Sequence, residues 1–222
     1  MRKYNMMIFD VDGTLLDTSE GIIRAVRYTV EKCGFAEPEE AVMKTFIGPP
    51  IKESFARIYG VDGKTADELT MIFRDRYKDV DLLKAKRYDG ILTVFESLKS
   101  LGIQSAIATY KRQDYAEKIV RHFGFGRYTN IIFGADNENK LKKKDIIEKC
   151  IIESRMENNS HFLMIGDSDN DALGARQLGI DFLGVTYGFG FRTKEDIYAQ
   201  GAVKAVDTAY EILEFAAKGK GQ

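Results

Sequence analysis

The chain has 222 residues, 44% of them hydrophobic, and a formal net charge of −1. That length allows a buried core in one large or two modest domains, and the charge excludes a chain drawn to nucleic acid or anionic membrane by overall attraction. No apolar run is long enough to cross a bilayer, and MRKYNMMIFD meets an acid too early for a secretory leader, so a cytoplasmic protein with no nucleic-acid or membrane partner is expected.

The first apolar run, 5–9 (NMMIF), reads as a strand and stops at Asp10, with Asp12 two residues on. From Thr18 to about Lys86 only helical patterns follow, at 19–33, 39–46, 51–59 and 66–80. In the first, Ile22, Ile23, Val26 and Val30 share a face, and Gly34 ends it. Pro49 and Pro50, in IGPPI, forbid helix continuation between the second and third. Beyond Lys86, strands at 103–108, 131–133, 161–165, 181–186 and a weaker one at 202–206 alternate with helices at 90–101, 113–123, 145–155, 170–178 and 207–216. This alternation predicts an α/β fold, a Rossmann-like parallel sheet core with helices on both faces, and a small all-helical cap inserted after the first strand. The expected domains are a core of 1–17 and 87–222 and a cap of 18–86, hinged near Asp17 and Arg87. Cys33 and Cys150 read as buried free thiols, and the isolated His122 and His161 lack zinc-like spacing.

Ligands of an open parallel sheet bind beyond the carboxyl ends of its strands. Asp10 and Asp12 follow the first strand, Thr109 the second, GDSDND with Asp167, Asp169 and Asp171 the strand at 161–165, and YGFG the strand at 181–186. Clustered carboxylates repel unless a cation joins them, and an acid set without nearby histidine suits Mg²⁺ rather than zinc. The amides of Gly13 and Thr14 are expected to form an anion nest, and one lysine of KLKKK, residues 140–144, to reach a phosphoryl oxygen. These parts suit phosphoryl transfer through an aspartyl phosphate. Asp10 would attack phosphorus, and Asp12 would serve as general acid and then general base. Asp10, Asp167 and the Asp12 carbonyl would hold Mg²⁺, while Thr109 and the lysine steady the transferring oxygens. Arg24, on the first cap helix, is a candidate for an anionic substrate group.

FDVDGTLLD, SAIATYK, the lysine run before a helix and GDSDND together resemble the four motifs of the haloacid dehalogenase superfamily of phosphohydrolases. FIGPP and GVTYGFG are similar to its phosphoglycolate phosphatase-like group. The resemblance implies Asp10 as nucleophile, Asp12 as acid/base and Asp171 as a support for the Mg²⁺ ligands. It also implies a cap that closes by hinge motion, with Gly48 and Pro49 in a substrate-contacting loop. The family's usual Lys-Pro is missing; spacing back from Asp167 favours Lys144, ahead of Lys143 and Lys142. Tyr110 stands where a small or amide residue is usual; it is a candidate phosphate-binding or substrate contact, with packing as the alternative. The expected activity is hydrolysis of a small phosphorylated metabolite. A phosphomutase, pyrophosphatase or 5'-nucleotidase on the same fold is an alternative, as is a haloacid dehalogenase. A non-catalytic phospho-receiver module, with Asp136 as acceptor, is the rival from another class.

Overall fold

The structure, a computed structural model, describes residues 4–137, 140–156 and 161–218. In chain order the first elements are β1 (Met6–Phe9), β2 (Leu16–Asp17), α1 (Ser19–Lys32), α2 (Glu40–Met43), α3 (Ile51–Tyr59), α4 (Gly63–Arg76) and β3 (Lys86–Arg87). Then come α5 (Ile91–Leu101), β4 (Gln104–Arg112), α6 (Gln113–His122), β5 (Ile132–Ala135), α7 (Lys143–Ser154) and β6 (Phe162–Gly166). The chain continues through α8 (Asp169–Leu178), β7 (Asp181–Val185), α9 (Lys194–Ala199), β8 (Lys204–Val206) and α10 (Ala209–Lys218). Two compact units result: one runs to Leu16 and resumes at Arg87, the other is Asp17–Lys86.

The larger unit is built on a six-stranded sheet in the order β5-β4-β1-β6-β7-β8, with every recorded pairing parallel. β1 is central and all four of its residues are buried, which is why its sequence is an unbroken apolar run. Successive side chains point to opposite faces. Met6 and Ile8 join Ile146 and Ile147 of α7 and Ala172 and Ala175 of α8, while the ring of Phe9 lies 4.8 Å from that of Phe95 on α5. Helices therefore cover both faces. Phe9 is level with Ile107 of β4 and Ile165 of β6, so Asp10 leaves β1 between the C-terminal stretches of β4 and β6.

The second unit is helical and has its own aromatic core. Phe46 and Phe55 meet edge to face with centroids 5.2 Å apart, and Phe73 stacks on Tyr77 at 5.3 Å. Asp62 caps α4 by accepting from the Thr65 amide at 2.8 Å, so this helix begins earlier than its apolar pattern suggests. The stretch 39–46, expected as one helix, is the short α2 followed by a 3₁₀ turn, Lys44–Phe46. Buried Asp81, at the end of a π-helical turn, takes Arg24 Nε at 2.9 Å and Arg76 Nε at 2.8 Å.

Three further differences from expectation have physical causes. β4 runs on to Arg112, past the last apolar residue of its run, because polar Thr109 and Lys111 are buried in it. α7 starts at Lys143, and a short helix, α9, follows the glycine-rich loop after β7. Cys150 is buried as expected, but Cys33, at the C-cap of α1, is half-exposed. Ile8→Ala would leave a cavity in the central strand, at an expected cost of about 2–5 kcal/mol. Urea titration should show a lower midpoint with an unchanged m-value.

Candidate active site

Asp10 leaves β1 with its amide donating to Ile165 O at 3.0 Å, so the sheet ladder fixes the root of the side chain. Asp12 begins a tight turn that Gly13 completes at φ 74°. A Cβ on Gly13 would fall 2.0 Å from Asp167 Oδ2, so both the backbone conformation and the space demand glycine. The amides of Gly13 and Thr14 donate to Leu16 O at 3.0 Å and Val11 O at 3.3 Å. This corrects the expected anion nest: both N–H groups are already committed inside the turn. Thr14 is fully buried, and its hydroxyl has no hydrogen-bond partner among the described residues.

Asp167 follows β6. Its Oδ2 accepts from the amides of Phe189 at 2.6 Å and Gly190 at 3.1 Å. A Cβ on Gly188 would sit 2.4 Å from that same Oδ2. The YGFG loop after β7 is thus the seat of Asp167, a role unassigned from the sequence although its glycines were a visible signal. Asp171, in the first turn of α8, accepts from Ser168 Oγ at 2.6 Å and pairs with Lys143.

Of the described lysines of KLKKK, Lys143 is the one that reaches the acid cluster. Its Nζ lies 2.7 Å from Asp10 Oδ1 and 2.7 Å from Asp171 Oδ1, with the side chain only 3% exposed. Lys144 is corrected: its side chain is 47% exposed and pairs loosely with Asp145. The reason is the helix start. α7 begins two residues before the apolar pattern does, and Lys143 is the position that faces β1.

Thr109 is buried within β4, where its Oγ1 accepts from the Lys111 amide at 3.2 Å. Lys111 was missed. Its ammonium lies 3.0 Å from Asp12 Oδ1, both side chains being buried. Thr109 and Lys111 are both buried, on either side of half-buried Tyr110, in the part of β4 where its register against β5 shifts. Tyr110 is half-buried and its hydroxyl accepts from the Lys143 amide at 3.0 Å, so it contacts the lysine rather than standing clear toward a phosphate.

Other expected residues fall elsewhere. Arg24, expected to meet an anionic substrate group, is tied through Nε to buried Asp81 at 2.9 Å within the helical unit. Gly48 and Pro49 form the connector between the 3₁₀ turn and α3, Gly48 at φ 101°. Asp136 accepts from the amides of Lys140 and Leu141 at 3.0 and 3.1 Å.

Burial, helped by Asp171, Asp12 and Asp167 and opposed by Lys143, pushes Asp10 up to about 8. Burial and Asp171 push Asp167 up to about 7 against the pull of the Phe189 and Gly190 amides. For Lys143 burial would lower the value, but the carboxylates of Asp10 and Asp171 outweigh it and hold the ammonium above the usual lysine range. Carboxylate oxygens of Asp10, Asp167 and Asp171 all lie within 4.8 Å of one another. An all-oxygen set of buried acids whose ionised forms are disfavoured fits a hard divalent cation such as Mg²⁺.

Known proteins resemble the chain over most of its length. The profile of the family described as haloacid dehalogenase-like hydrolase matches residues 7–185. A 5'-nucleotidase of Pseudomonas aeruginosa is 36% identical over 188 residues, covering 85% of each chain. A phosphoglycolate phosphatase of Vibrio parahaemolyticus is 25% identical over 220 residues, covering 96% of each. The crystal structure of a predicted phosphatase from Clostridium acetobutylicum superposes with a TM-score of 0.89 at 33% identity, over 97% of this chain and 99% of that one. With the profile spanning both the DVDGT and GDSDND segments that form the acid cluster, the chain belongs to the haloacid dehalogenase-like hydrolase family.

Proposed function

We propose that the protein is a Mg²⁺-dependent phosphatase of the phosphoglycolate phosphatase-like group, hydrolysing a small phosphorylated metabolite through an aspartyl phosphate on Asp10. The observation that carries this reading is the placement of Asp10. It ends the central strand, is bonded to Lys143 at 2.7 Å, and shares a space of 4.8 Å with Asp167 and Asp171.

In this mechanism a carboxylate oxygen of Asp10 attacks phosphorus and the P–O bond to the leaving group breaks. Asp12, oriented by Lys111, protonates the leaving oxygen. It then takes a proton from the water that cleaves the acyl phosphate, returning Asp10 and releasing inorganic phosphate. Lys143 and the Thr109 hydroxyl hold phosphoryl oxygens as charge develops on them. Asp10, Asp167 and the Asp12 main-chain carbonyl would hold Mg²⁺, and Asp171 would steady the set through Lys143. The ion, when bound, neutralises phosphoryl charge and lets the carboxylates ionise together.

The 36% identity to a 5'-nucleotidase supports nucleoside monophosphates beside phosphoglycolate as candidate substrates. A panel of phosphomonoesters assayed for free phosphate, with sugar-phosphate interconversion measured in parallel, should show phosphate release. Interconversion without release would replace the phosphatase reading by a mutase. Asp10→Asn removes the nucleophile and should lower kcat by on the order of 10³-fold or more with folding intact, as circular dichroism would check.

The acid cluster also predicts a pH-dependent response to the cation. Asp10 and Asp167 have folded values raised to about 8 and about 7, far above their unfolded range near about 4. In the ion-free protein the stability they contribute is complete below about pH 4 and is lost as pH rises through about 7 to 8. Mg²⁺ binds the ionised forms, so it should raise Tm more at about pH 8 than at about pH 6. Differential scanning fluorimetry at the two values reads this directly.

A further inference from the structure

Lys143 is bracketed by one aromatic residue at both ends. The Tyr110 hydroxyl accepts from its amide at 3.0 Å, and the Tyr110 ring lies 5.5 Å from its ammonium. Lys143 is the first residue of α7, where an amide has no intrahelical acceptor. The helix supplies no substitute. Lys142 at the N-cap has no acceptor in its side chain, and Asp145 Oδ2 accepts from the Lys142 amide at 2.8 Å. No proline stiffens this start either; residues 140–147 read KLKKKDII.

We propose that Tyr110 is the positioning residue of the active-site lysine: it ties the first turn of α7 to the end of β4 and holds the Lys143 side chain against Asp10 and Asp171. The proposal rests on Lys143 being the group that steadies the phosphoryl oxygens. A lysine side chain loses rotamer freedom when it is held, so a useful ammonium must have its course set by neighbours. Tyr110 sets both limits of that course. Its hydroxyl fixes the main-chain origin, and its ring borders the charge as a cation–π surface. Gly174 of α8 clears the space between, since a Cβ there would lie 3.2 Å from Lys143 Cγ. Thr109 and Tyr110 are neighbours on β4, so the strand that presents the hydroxyl to the phosphate also sets where the lysine begins. Tyr110 touches no reacting atom. It acts through Lys143.

Tyr110→Phe keeps the ring and removes the acceptor. Hydrogen exchange at the Lys143 amide should accelerate on the order of tenfold, with the Mg²⁺-bound protein otherwise protected as before. With a phosphomonoester hydrolysed by the wild type, kcat should fall about tenfold while KM stays within about twofold, because the displaced group acts on the transition state. In a Lys143→Gln background, Tyr110→Phe should cost nothing further, since its route of action is gone. Tyr110→Leu, which also removes the ring, should lose more than Tyr110→Phe. An unchanged Lys143 amide in Tyr110→Phe overturns the proposal. A kcat within twofold of wild type, or the same fold loss with and without Lys143, also overturns it. If the wild type hydrolyses no phosphate ester with Mg²⁺, the phosphatase reading fails, and amide exchange still decides whether Tyr110 holds Lys143.

Discussion

Buried carboxylates do not gather by choice. Asp10, Asp12, Asp167 and Asp171 are nearly inaccessible to solvent, and for Asp10 and Asp167 burial opposes ionisation before any neighbour is counted. Their assembly is tolerated because two buried ammonium groups reach them. Lys143 bridges Asp10 and Asp171, and Lys111 pairs with Asp12. Asp10, Asp167 and Asp171 are served by one buried ammonium, that of Lys143, which leaves a place for a divalent cation among them. The raised values of Asp10 and Asp167 express the same deficit: without a further cation, those two prefer to keep their protons.

The fold makes this assembly unavoidable. β1 lies between β4 and β6 in parallel register, so whatever follows the three strands is brought to one edge. Glycines then allow contacts that a side chain would prevent. Gly13 and Gly188 press against Asp167, and Gly166 leaves room for Asp171, whose Cγ would lie 2.3 Å from a Cβ there. The turn after β1 closes on its own carbonyls, which holds Asp12 at a fixed offset from Asp10. Geometry that would be costly in an isolated loop is imposed by the strands on either side.

Much of this was legible in the sequence because the relevant signals are local. DVDGT and GDSDND announce acids at strand ends, and the alternation of strands and helices announces the parallel sheet that joins them. What escaped depended on side-chain direction. Lys143 and Lys144 are equivalent in composition, and only the true helix start, two residues before the apolar period begins, decides which one turns inward. Lys111 looked like loop because the apolar run had ended, whereas β4 continues with its lysine buried against a carboxylate. Arg24 looked available for an anion because its partner, Asp81, lies 57 residues away in the chain. Gly13 and Thr14 looked like open donors because a turn's internal acceptors leave no trace in its residue types.

The most direct measurement is a crystal structure with Mn²⁺ in place of Mg²⁺, located by its anomalous scattering. One ion bound by carboxylate oxygens of both Asp10 and Asp167, with Lys143 still on Asp10, is the predicted result. An ion that touches only one of these acids, or a cluster that stays without manganese at saturating concentration, would contradict the claim that the excess charge of the acid cluster is a cation site.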